Sequence, residues 1–115
     1  MKLIEIVEKL DLTLISGKLN PETEIKGVYV SELLSDVMGN AKAGDLWITL
    51  QSHKNIIAVA ELKDICAIAI INGNQPDEDT RKKSEEEGIP LLGTQESAFL
   101  TAGRIYELFR QNELL

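Results

Sequence analysis

The segment Ile65-Cys66-Ala67-Ile68-Ala69-Ile70-Ile71 constrains the fold more than any other part of the chain. It is seven apolar residues in a row, bounded by Asp64 and Asn72, with no polar residue at alternate positions. A strand wet on one face alternates apolar and polar residues, whereas a strand covered on both faces stays apolar throughout. The run is far shorter than the roughly 20 residues a membrane span requires. It reads as the centre of a sheet that needs helices on both sides.

The neighbouring sequence supplies them. Ile56 to Leu62 has helical spacing, and Asp77 to Glu87 is a highly charged helical stretch that Gly88 closes. Leu46 to Leu50 is a second β-prone run and Ile89 to Leu92 a third. Thr94 or Ser97 can cap a last helix that carries Phe99, Leu100, Ile105, Tyr106 and Phe109. Strands and helices that alternate over short connections predict parallel strands with crossovers. Upstream, Leu3, Ile6, Val7 and Leu10 mark a short amphipathic helix, and Leu12 to Ile15 and Ile25 to Val30 are extended. Leu34 to Gly44 is dense in turn formers and reads as either a loop or a brief helical turn. The expectation is an α/β fold: a single three-layer α/β/α domain over residues 1–115, with a mostly parallel central sheet.

Charge and composition exclude several classes of function. Lys and Arg number 12 against 19 Asp and Glu, a formal net charge of −7, which repels a phosphate backbone and argues against nucleic acid as a partner. A single cysteine rules out an internal disulfide or a cysteine-rich zinc site, and one histidine rules out a two-histidine metal site. The opening MKLIEIVEKL lacks the apolar core of a signal peptide, so a cytoplasmic protein with no membrane contact is expected. No motif calls for a cofactor.

Each residue with chemical potential has a bland reading beside the functional one. His53 follows one strand and precedes a helix, where open sheets present ligand-binding residues, yet it reads more simply as a solvent-facing loop residue. Cys66 opens an apolar strand and reads as a small buried hydrophobe. Trp47 sits among apolar neighbours, where packing is expected and its indole N–H needs a partner. Asn72-Gly73-Asn74 could cradle an anion, but the chain lacks both GxGxxG and the P-loop pattern, and a turn with positive φ is the simpler reading. The acids between Asp77 and Glu87 alternate with Arg81, Lys82 and Lys83, as on a solvated helix face. Asp36 and Asp45 carry no second feature that marks a general acid and base. The final helix has more apolar surface than one short helix buries in a monomer, which predicts a homodimer through Phe99, Tyr106 and Phe109.

The stretches Ile25 to Ser31, Ala43 to Thr49 and Cys66 to Gly73 together resemble the DRTGG domain family, and Gly88 to Leu92 and Thr101 to Ile105 fit it as well. The resemblance runs from about Leu3 to Leu108. The letters Asp-Arg-Thr-Gly-Gly that name the family are themselves absent. It is the family of the N-terminal domain of HPr kinase/phosphatase and of the middle domain of some phosphotransacetylases and CBS-containing pyrophosphatases. The resemblance implies an HPr kinase N-terminal domain-like α/β fold, a non-catalytic accessory role and self-association. A more distant likeness is to the N-terminal, uridine-nucleotide-binding domain of the Mur ligases, with Val30-Ser31-Glu32 and Ala43 to Trp47 in the corresponding places.

Two functions follow as expectations. The first is a non-catalytic regulatory or scaffolding domain that acts as a homodimer and modulates a partner protein or pathway. The alternative is a sensor of a small molecule, a nucleotide among the candidates. Its pocket would lie at the C-terminal ends of the strands and be lined by Ser31, Asp36, Asn40, Thr49, Gln51, Ser52, His53, Asn72 and Gly73.

Overall fold

The computed structural model describes residues 1–115. The chain runs α1 (Leu3–Lys9), β1 (Thr13–Ser16), β2 (Gly27–Val30), α2 (Leu34–Asn40), β3 (Asp45–Thr49), α3 (Asn55–Lys63), β4 (Ala67–Ile70), α4 (Glu78–Glu87), β5 (Leu91–Gly93) and α5 (Ala98–Gln111). The apolar run becomes β4, every residue of it buried. It lies in the middle of one five-stranded sheet with the order β1-β5-β4-β3-β2. β2, β3, β4 and β5 are mutually parallel, and β1 pairs antiparallel with β5 at one edge. The other edge is β2.

Alternation along the central strands divides the interior into two cores. Leu46 and Ile48 of β3, with Ala67, Ala69 and Ile71 in and after β4, face α1 and α5 and meet Leu3, Ile6, Leu10, Ile105 and Phe109. Trp47, Ile68 and Ile70 point the other way and meet Val37 of α2 and Ile56, Ile57, Val59 and Ala60 of α3. α4 has no apolar residue to bury and instead turns Thr80 and Ser84 inward. The layers are thus α2, α3 and α4 on one face and α1 and α5 on the other, the three-layer α/β arrangement expected.

Local signals set most boundaries. Gly88 takes a left-handed conformation (φ +69°) that ends α4. The Ser97 side chain accepts a hydrogen bond from the Leu100 N–H at 3.2 Å, so Ser97, of the two candidates, caps α5. Asn72 (φ +57°) and Gly73 (φ +68°) form the expected positive-φ turn after β4. The ambiguous Leu34 to Gly44 region resolves into seven helical residues followed by a loop. Val37, fully buried among the three-helix core, anchors that short helix, which its Gly39 and Asn40 would not favour by propensity. No helix is long and apolar enough to cross a membrane.

Candidate ligand site and interaction surface

In an open α/β sheet, a crevice forms where the chain leaves one strand toward one face and the next strand toward the other. Here the connection after β4 leads to α4 on the three-helix face, and the connection after β5 leads to α5 on the two-helix face. The switch point therefore lies between the ends of β4 and β5. A polar groove of about 570 Å³ opens beside it, lined by Gly73, Asn74 and Gln75 after β4, by Gly93 to Glu96 after β5, by Leu10, Asp11, Thr13 and Ile15, and by Arg104 of α5. Gly73 suits its positive φ there, and the Gln95 side-chain amide lies over it.

The structure does not gather the nine residues proposed from sequence in one cavity: Asp36 and Asn40 lie in α2, and the others at or after the ends of β2, β3 and β4. Gly73 alone of the nine lines the polar groove. Asp36 accepts from the Tyr29 hydroxyl at 2.7 Å and from the Asn40 amide at 2.9 Å. Hydrogen bonds from Ser31, Tyr29 and Asn40, in that order of weight, hold its carboxyl below the usual carboxylate range. The Tyr29 phenol is raised in turn, first by its bond to Asp36 and then by burial. The backbone carbonyl of Ser31 takes the indole N–H of the fully buried Trp47 at 3.0 Å, the partner the tryptophan required.

Thr49 and Gln51 are tied to a residue that sequence reasoning passed over. The Glu32 carboxylate accepts from the Thr49 hydroxyl at 2.8 Å and from the Leu50 N–H at 2.8 Å, and the Gln51 amide donates to the Glu32 carbonyl at 2.8 Å. The carbonyl of Ser52 receives the Thr80 hydroxyl and the Asp77 N–H, so it secures the start of α4. His53 is exposed in its loop. Asn72 is exposed too, and its N–H reaches the Glu96 carbonyl at 2.9 Å while that of Gly73 reaches the Thr94 carbonyl at 2.8 Å.

Arg104, Gln95 and Gln75 are groove residues that the sequence did not point to, and Thr94, which the sequence suggested only as a helix cap, lines the groove with them. The signal that could have found them was the strand order, because Thr94 to Glu96 leave the strand beside the switch. Cys66 is largely buried, and its thiol is pushed up to about 12, first by burial and then by the nearby negative charge of Asp45. That fits a packing residue. No group of three or more His, Cys, Asp or Glu side chains is arranged to hold a metal ion.

On the other flank of α5 lies an apolar groove of about 530 Å³, bounded by Lys26, Gly27 and Val28 at the β2 edge, by α5, and by Leu114 and Leu115. Phe99 is 83% exposed and Tyr106 58% exposed along it. Phe109, expected beside them at a dimer surface, is 5% exposed and belongs to the two-helix core. The helical phase is the reason: Thr101, Ile105 and Phe109 recur every four residues on the inward stripe, whereas Phe99 and Tyr106 fall two turns apart on the outer one. Phe109 reaches the groove only as part of its lining.

No protein-family model matches the chain, and no curated protein matches it in sequence. Among solved structures, the chain is similar to the crystal structure of the CBS and DRTGG domains of the regulatory region of Clostridium perfringens pyrophosphatase, complexed with its activator diadenosine tetraphosphate. The superposition has a TM-score of 0.66 at 14% sequence identity and covers 88% of this chain but 44% of that one. At that identity the likeness is one of fold, and this chain spans less than half the length of the protein it matches. The resemblance to the DRTGG domain family seen in the strand patterns thus has a counterpart in a solved regulatory structure that contains such a domain.

Proposed function

We propose that this chain is a non-catalytic regulatory domain that works as a homodimer and modulates a partner protein or pathway. The observation that carries the reading is the apolar groove between α5 and the β2 edge, where Phe99, Tyr106 and Leu115 stand in water in the isolated chain. Exposed apolar surface of this kind marks a partner site, and a two-fold pair of identical chains is the commonest way to cover one. Kinship in fold with a regulatory region supports the role. Light scattering across a concentration series tests the dimer. Wild type is expected at twice the 12.7 kDa of one chain, and Tyr106→Glu combined with Phe99→Glu at one chain mass. A wild-type monomer at every concentration defeats the proposal.

A second reading, a small-molecule sensor, is favoured by the polar groove at the switch point. The nucleotide activator of the compared structure makes nucleotides the first candidates. In this reading Gly73 touches the ligand, and Ser31, Asp36, Asn40, Thr49, Gln51, Ser52, His53 and Asn72 lie outside the groove lining. A ligand at about 100 times its dissociation constant adds about 2.7 kcal/mol of stability, a melting shift of several degrees in a domain of this size. A flat response to adenine and uridine nucleotides and other small acids removes this reading and leaves the interaction module alone.

A further inference from the structure

We infer that the polar groove beside α5 binds a small polar molecule carrying a single oxyanion, with Arg104 as its anchor. The inference deepens the sensor reading and rests on it. Arg104 is exposed at the groove and forms no ion pair; its one bond, at 3.4 Å, runs to the Lys9 carbonyl. Most of its five donors are therefore open. Arg104 is also the only Lys or Arg in the lining of this groove. A planar guanidinium with free donors above a cleft is suited to two oxygens of a carboxylate or phosphate.

The rest of the wall sets the class of ligand. Gln95, Gln75 and Thr13 bring amide and hydroxyl groups that donate or accept, and Leu10 and Ile15 add an apolar strip. Asp11 and Glu96 line the same groove, so a second or third phosphate would face carboxylates with no cation to offset it. With two carboxylates and one guanidinium in the wall, one oxyanion at Arg104 suits these charges best on a molecule that also turns a cationic group, such as an ammonium, toward Asp11 and Glu96. A polyphosphate is repelled. A volume of about 570 Å³ is the size of a site for a mononucleotide or a polar amino acid.

The test is an amide-resolved NMR titration of the full chain with adenosine and uridine monophosphates, glutamine, inorganic phosphate and diadenosine tetraphosphate. We expect the amides of Gly73, Gly93 and Gln95 to move with a single-oxyanion ligand, the monophosphate and amino-acid arms separating a phosphate source from a carboxylate source. Arg104→Gln should weaken that binding about tenfold or more and leave the melting temperature of the free protein unchanged. Inorganic phosphate should bind more weakly than the full ligand. If a ligand binds but Arg104→Gln leaves affinity intact, if the shifts gather elsewhere, or if the tetraphosphate binds tightest, the inference falls while the sensor reading stands. If none of the probes binds, both fall.

Discussion

The two faces of the sheet are built to different degrees of closure. Three helices cover one face, and its core around Trp47, Ile57 and Ile70 is sealed. Two helices cover the other, and each flank of α5 is left as a groove, apolar toward β2 and polar toward β1. Five strands are wider than two helices can cover. Both faces carry a core of similar size, and the face with fewer helices is the one that also leaves surface for recognition.

The largest test of that contrast removes one large aromatic from each core. Trp47→Ala should cost about 3–5 kcal/mol, since it empties a sealed site and leaves the Ser31 carbonyl without its donor. Phe109→Ala should cost less, because water and Leu114 can enter from the adjoining groove. Urea denaturation of both variants decides it, and an equal or greater loss at Phe109 breaks the comparison. A smaller effect is expected at the end of β3, where Thr49→Val removes the hydroxyl that holds Glu32 and should cost about 1 kcal/mol, read from the shift in urea midpoint.

Two finer predictions concern titration. The depressed Asp36 carboxyl contributes stability that is present above its unfolded value and is lost as pH falls through its lower folded value. Asp36→Asn should therefore flatten the acid limb of a stability profile, and an unchanged limb refutes the assignment. Cys66, with its thiol at about 12, is protonated at pH 8. A disulfide reagent should leave it untouched in the folded protein and label it once the chain is unfolded in urea.

Much of the fold was legible because its determinants are local. The continuous apolar run gave β4, Gly88 and Ser97 ended and began helices, and Asn72-Gly73 could scarcely be anything but a turn. α2 was ambiguous because Val37 stabilises it through contacts far along the chain, while its own Gly39 and Asn40 point to a loop. The site was harder to read. Arg104 and Gln95 join residues 10 to 15 only after β1 has paired with β5, and nothing in a single sequence states that pairing. Glu32 looks like one more surface acid until the fold sets it against the end of β3. Phe109 was assigned outward by its residue type, although counting in fours from Thr101 turns it inward.

Hydrogen bonds lace the rim in series: Glu32 to Leu50, the Asn74 side chain to the Leu50 carbonyl at 2.6 Å, and Asn72 and Gly73 to Glu96 and Thr94. Loops at such a rim ordinarily hold conformational freedom that a guest must freeze out on arrival. Here four successive loops have given up much of that freedom during folding. The entropy of ordering is charged to the folding of the chain, and the rim stands preorganised before anything binds.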